Sequence, residues 1–132
     1  MRYLLDSNII SDLVRHPNGR VAKQLQKIGE PKTCTSIIVA AELRFGVVKR
    51  GSPQLSADLE AILGAMEVLP FEAPADKTYA LIRARLEKSG RPIGANDLLI
   101  ASHAMALGYT LVTDNEREFS RIKDLAQENW LR

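Results

Sequence analysis

The sequence predicts an α/β protein: a three-layer α/β/α sandwich with a central, mostly parallel sheet of four to five short strands. Three observations predict it. Short apolar runs bounded by turn residues alternate with longer segments of helical periodicity. The stretches between the runs are helix-length rather than hairpin-length, so successive strands join by right-handed crossovers and lie parallel, with helices on both faces. The length, 132 residues, suits one domain (1–132) able to bury its own core.

Tyr3-Leu4-Leu5 is the first buried strand. Asn8 to about Arg15 reads as a helix that stops before His16-Pro17-Asn18-Gly19, and Arg20–Ile28 is a second helix ended by Gly29 and Pro31. Lys32–Thr35 is the second strand. Ser36 is placed to cap a helix running to about Arg50, stopped by Gly51. Ser52-Pro53 opens another helix, to about Met66, because proline suits a first helical position. Val68-Leu69 is a weak strand, Ala73–Ser89 a helix, and Gly90-Arg91-Pro92-Ile93-Gly94 a loop. Asn96 is expected to cap a helix to Leu107, with Gly108 as its stop. Thr110–Thr113 is the clearest strand, and the tail carries short helix, irregular chain and a last strand near Ile122.

Composition excludes several classes. With Cys34 as its only cysteine, the chain can form no internal disulfide and no thiolate metal site, which suits a reducing compartment. No apolar run approaches the roughly 20 residues of a membrane span. The opening MRYLLDSN does not read as a signal peptide, so a cytoplasmic protein is expected. The formal charge of +2 permits a polyanionic partner without demanding one, and the basic residues are dispersed. Aromatics at 5% argue against single-strand binding by base stacking. No phosphate-binding glycine motif is present, and neither His16 nor His103 stands beside a serine or cysteine in a triad motif. His16 is expected to be exposed, His103 structural, and Trp130 a packing anchor.

In parallel sheets ligands bind at the carboxyl ends of the strands. Asp6 follows the first strand directly; Asp114 and Asn115 follow the Thr110–Thr113 strand. Two further acids fall on helix faces that read as apolar. Glu42 lies on or beside a stripe of Ile38, Ala41, Phe45 and Val48, and Asp97 extends a stripe of Ile100, Ala101, Ala104 and Leu107. An acid facing a core carries a desolvation cost unless something compensates it. Each has an ordinary explanation. Asp6 can cap the next helix, Asp97 can answer a helix dipole, Glu42 can pair with Arg44 or Lys49, and Asp114 can form a turn. Taken together, three or four carboxylates at one sheet edge repel unless some are protonated or a divalent cation joins them. All-oxygen ligation suits magnesium or manganese rather than zinc. One such ion can generate hydroxide, and a pair can also stabilise a leaving oxygen, which is the chemistry of phosphodiester hydrolysis. Asn8, Thr113 and Asn115 are candidates to orient carboxylates or metal-bound water, and Arg91 to hold a substrate phosphate.

These residues resemble a known family. Leu5-Asp6-Ser7-Asn8 resembles the opening motif of PIN-domain nucleases; Ser36–Leu43 with Gly46 resembles the second; Gly90–Gly94 with Asn96-Asp97 the third; Val112–Asn115 with Phe119 the fourth. Order, spacing and length are similar to the VapC-type toxins of bacterial toxin–antitoxin pairs, over nearly the whole chain. The resemblance implies a PIN-like fold and a magnesium- or manganese-dependent ribonuclease with Asp6, Glu42 and Asp97 as metal-binding and catalytic acids. It further implies a homodimer with a shared groove, a cognate antitoxin, assembly on operator DNA, and structured RNA substrates, often transfer RNA near the anticodon. The family's fourth acid stands two residues after the strand-ending threonine, where this chain has Asn115. The fourth ligand is therefore Asp114, Asn115 through oxygen or water, or absent. Two other readings are a non-catalytic RNA-binding module and a small-molecule phosphatase with Asp6 as nucleophile. The second lacks its expected aspartate two residues on, where Asn8 stands.

Overall fold

The computed structural model describes residues 1–132. Five short strands, β1 (Tyr3–Leu5), β2 (Thr33–Ser36), β3 (Glu67–Leu69), β4 (Thr110–Val112) and β5 (Gln127–Glu128), form one sheet in the order β3-β2-β1-β4-β5. Every neighbouring pair is parallel, with Leu4 against Cys34 and Leu111, and Val112 against Glu128. Seven α-helices connect them: α1 (Ser7–Arg15), α2 (Arg20–Ile28), α3 (Ile37–Arg50), α4 (Pro53–Gly64), α5 (Ala75–Lys88), α6 (Ala95–Leu107) and α7 (Glu116–Phe119). The core consists of Leu4, Leu5, Ile9, Ile10, Ile100 and Leu111, all fully buried, together with their neighbours on the helices. No helix is long and apolar enough to cross a membrane.

Local chemistry sets the helix limits that matter for the site. Asp6 is extended and its carboxylate accepts from the Ser7 N–H, so the residue that ends β1 also caps α1. Ser36 plays the same part at the end of β2, its hydroxyl accepting from the Ile38 N–H. Gly51 and Gly108 end α3 and α6 with φ of 67° and 71°, a left-handed conformation that a Cβ would strain.

Three expectations are corrected. Asn96 does not cap α6: the chain is extended at Gly94, the helix begins at Ala95, and the Asn96 side chain turns to another helix. The last strand is Gln127–Glu128, not near Ile122; Ile122 buries its side chain in the turns after α7. The apolar stripe expected on α3 is the wrong face. Val39 and Ala40 are buried there, with Leu43 and Val47 packed beside them, whereas Phe45 is 67% and Val48 78% exposed. The helix is apolar almost all round, so its periodicity allows two faces, and the sheet selects one of them. Trp130 is buried against Tyr3, His16 is exposed, and His103 is buried with its Nδ1 2.8 Å from the Ser36 hydroxyl.

Candidate active site

Asp6 leaves β1 at the carboxyl edge of the sheet and is only 2% exposed. Its two oxygens are both held: Oδ1 by the Ser7 N–H at 2.8 Å, and Oδ2 by the Thr113 hydroxyl at 2.8 Å. Thr113 stands just past β4, the strand beside β1, so sheet register brings the two residues together. The Thr113 oxygen also accepts from the Asn115 N–H at 3.0 Å and lies 3.5 Å from the Asn8 amide nitrogen. Asn8 in turn accepts from the Asp114 N–H at 3.0 Å. The candidates Asn8 and Thr113 therefore form the brace that fixes Asp6 to the β4 loop.

Glu42 comes in from α3 and Asp97 from the first turn of α6. Asn96 donates to Glu42 Oε2 at 3.2 Å, joining the two helices. Glu42 Oε1 is buried without a hydrogen-bond partner. The Asn115 amide donates to Asp97 Oδ2 at 3.3 Å and, at 2.8 Å, to Glu118 Oε2. Glu118, on α7, also accepts from the Gly94 N–H at 3.0 Å. It lies within hydrogen-bonding reach of Asp97. The sequence reading did not name it. The available signal was the Asn115–Glu118 spacing, which matches a helix N-cap and its third residue.

Asp114 is not brought into this group. It is exposed and its Oδ1 accepts from the Asn129 amide at 2.9 Å. Asn115, at the position where an acid was sought, is instead the amide that holds Asp97 and Glu118. Arg91 lies exposed in the loop that leads to Gly94. Arg44 pairs with Glu60, so the ordinary explanation of Glu42 by an Arg44 salt bridge does not hold.

The electrostatics follow from the crowding. Burial raises the Asp6 pKa, against the opposing hydrogen bonds from Thr113 and Ser7. Burial raises Glu42 too, with the Asp6 charge adding to it and the Asn96 amide and Ser7 hydroxyl working against it. Asp97 is pushed up to about 8, first by burial, then by Glu118, Asp6 and Glu42. Glu118 is lowered, because protonated Asp97 and the Gly94 N–H stabilise its charge. Four acids from four chain segments thus meet at the site the parallel-sheet rule selects. No three of them close into a ready-made metal cage with these rotamers.

Comparison with known proteins places this arrangement. The PIN-domain family profile matches residues 3–125. The chain is 41% identical to "Ribonuclease VapC2" of Rickettsia felis, across 98% of both chains. It is 33% identical to "tRNA(fMet)-specific endonuclease VapC" of Shigella flexneri, again across 98% of both. The crystal structure of VapBC2 from Rickettsia felis bound to a promoter DNA fragment superposes with a TM-score of 0.89 at 38% identity, covering 98% of this chain and 99% of that one. With its sheet order, its acids at the carboxyl edge and these full-length relatives, the chain belongs to the PIN-domain family, among the VapC ribonucleases.

Proposed function

We propose that this protein is the endoribonuclease toxin of a toxin–antitoxin pair, a single nuclease domain over residues 1–132. It hydrolyses RNA phosphodiesters with a divalent metal, magnesium or manganese, held by Asp6, Glu42 and Asp97. The observation that carries the reading is the meeting of Asp6, Glu42, Asp97 and Glu118 at one sheet edge, with the buried oxygen of Glu42 left free of protein partners. An all-carboxylate set fits a hard cation better than it fits a structural ion pair, since none of the four acids forms a salt bridge with Lys or Arg. When bound, such a cation supplies Lewis-acid stabilisation of phosphate oxygens and a lowered water pKa.

The protein's own part is orientation. Thr113 and the Ser7 N–H hold both oxygens of Asp6, Asn96 fixes one oxygen of Glu42, and Asn115 with the Gly94 N–H fixes Glu118 beside Asp97. Without a cation Asp97 is raised to about 8 beside the lowered Glu118, so cation binding is expected to displace that proton and to strengthen as pH rises. Glu118, rather than Asp114, is the fourth acid of this reading. Arg91, exposed in the loop that precedes α6, is the candidate to hold an RNA phosphate.

The relative named as specific for tRNA(fMet) makes transfer RNA, cut near the anticodon, the first substrate to test. The VapBC complex on promoter DNA supports a cognate antitoxin and an operator-bound assembly for this chain as well. A cleft of about 430 Å³ beside Glu42, lined by Ser7, Val14, Leu43, Val47 and Leu59, offers an antitoxin segment a path to the acids. The exposed Phe45 and Val48 on the same helix supply apolar surface for a protein partner, including a second copy of the chain. The lone buried cysteine agrees with a cytoplasmic location. The test is cleavage of purified transfer RNA with magnesium, manganese or chelator, by wild type, Asp6→Ala and Asp97→Ala. Cleavage that needs the metal and disappears in both variants is expected; undiminished metal-dependent cleavage in both would sink the site.

A further inference from the structure

The four acids create a problem that they do not solve. They present negative charge to a polyanion, so a nuclease built on them needs cations elsewhere to hold its substrate. Three helix-borne arginines are already committed to carboxylates on the surface. Arg44 pairs with Glu60, Arg83 with Glu87 one turn along α5, and Arg85 approaches Asp124.

Helix α2 differs. Its sequence, RVAKQLQKI, contains no acid, so no partner is available at the spacings where helical ion pairs form. Val21 and Ala22 are buried and Leu25 packs against the core, which turns Arg20, Lys23 and Lys27 outward on the opposite face. All three are exposed, and neither lysine forms an ion pair. The C-terminal segment packs alongside, with Arg20 Nη1 donating to the Leu131 carbonyl at 3.1 Å. Between them lies an open groove of about 470 Å³, lined by Arg20, Lys23, Gln24, Lys27, Asn129 and Arg132 among others. The one acid on its wall, Glu128, accepts from the Trp130 indole N–H at 3.1 Å. Arg132 reaches Glu116 at 3.6 Å with both side chains largely in solvent, a weak pairing.

One side chain on the groove wall ties it to the loop that carries the catalytic edge. Asn129 on its wall donates to Asp114 at 2.9 Å and to Glu116 at 3.0 Å. Those residues flank Asn115, which holds Asp97 and Glu118. We infer that the groove between α2 and the C-terminal segment is a substrate track, in which Lys23, Lys27 and Arg20 hold the phosphodiester backbone of RNA whose scissile bond lies at the acids. The inference rests on the nuclease reading for its substrate but on separate residues for its chemistry. Lysines without carboxylate partners bind phosphate as point charges and carry no base preference, so the track contributes affinity and register rather than sequence choice.

The experiment is RNA binding by fluorescence anisotropy, with transfer RNA as probe, in an Asp6→Asn background that prevents cleavage. Lys23→Gln/Lys27→Gln is expected to weaken binding roughly tenfold at moderate salt and to reduce the slope of log affinity against log salt by about 1–2, one step per lost phosphate contact. Lys23→Arg/Lys27→Arg should restore both, and unchanged circular dichroism should show that the fold is intact. Affinity and salt slope identical to the parent overturn the track. So does a loss of binding seen only with operator DNA or an antitoxin peptide, with RNA affinity unaffected. Cleavage by the otherwise wild-type chain, measured in parallel, separates the two ideas. Cleavage together with unchanged binding in the glutamine variant removes the track and leaves the nuclease. Groove-dependent binding without cleavage under any divalent metal removes the nuclease and leaves the track.

Discussion

Replacing Asp97 by Asn should make the metal-free protein more stable while destroying its proposed metal site. Asp97 is pushed from the ordinary aspartate range, near 3.9, to about 8 by burial and by three neighbouring carboxylates. A group whose native pKa is raised stabilises the fold fully below its unfolded pKa and loses that contribution as pH climbs through its native pKa. The window is therefore about pH 4 to 8. Taken whole, a shift of that size corresponds to about 5–6 kcal/mol at 1.36 kcal/mol per pH unit. That is a ceiling, because Glu118 is shifted the opposite way and because water reaches the partly exposed site. Discounting to an effective dielectric near 20 leaves about 1–2 kcal/mol. Asn mimics the protonated acid and can still donate to Glu118, so the variant escapes the loss. Its Tm in chelator should exceed that of wild type by about 3–8 °C at pH 8, for a chain of this size, and by almost nothing near pH 4. Thermal unfolding followed by circular dichroism from pH 4 to 9 measures this. Excess magnesium should then raise wild type, by about 2.7 kcal/mol at a hundredfold excess over Kd, and leave the variant nearly unmoved. A Tm difference that is flat across pH, or a variant less stable at pH 8, refutes the picture of crowded carboxylates.

Glu118→Gln is expected to lower RNA cleavage at least tenfold while Asp114→Asn leaves it within about twofold, since only Glu118 touches Asp97; comparable losses in single-turnover assays would reverse the assignment of the fourth acid. Asn96→Ala removes the donor to Glu42 and should weaken magnesium binding, read by calorimetry, by about three- to tenfold, as loss of a ligand-orienting hydrogen bond does elsewhere. Thr113→Val keeps the shape but strips Asp6 of a buried donor and the Asn115 N–H of its acceptor. A loss of about 1–3 kcal/mol in chemical denaturation is expected, and an unchanged midpoint would show that the brace carries no strain-free energy of its own.

Much of this was legible in the chain. Alternation of short apolar runs with helical segments forecast the parallel sheet, because both periodicities are properties of local backbone geometry. Asp6 and Asp97 were legible for a related reason. A polar residue directly after a buried strand, or at the start of an apolar helix, stands out against its own neighbours. Glu42 was singled out on the wrong evidence. The stripe of Phe45 and Val48 that marked it faces solvent, and what brings Glu42 to the site is its contact with Asn96 on α6.

The residues that only the tertiary structure decided are those defined by a partner distant in sequence. Glu118 sits on a four-residue helix with no periodicity to interpret, and it is identified by Asp97, twenty-one positions earlier, and by the Gly94 N–H. Asn115 and Asp114 are adjacent in sequence, yet one turns to the acids and the other to Asn129, because the Thr113 hydroxyl and Asn8 fix the loop between them. The basic face of α2 was visible as three cations among dispersed ones. Only packing beside the C-terminal segment turned it into a groove whose wall, through Asn129, is bonded to the loop around Asn115. Sequence by itself determined the first four strands, the long helices and the prominence of Asp6 and Asp97, because local periodicity encodes them. Crossover packing decided which further side chains meet those acids, because contacts across the sheet edge have no signature along the chain.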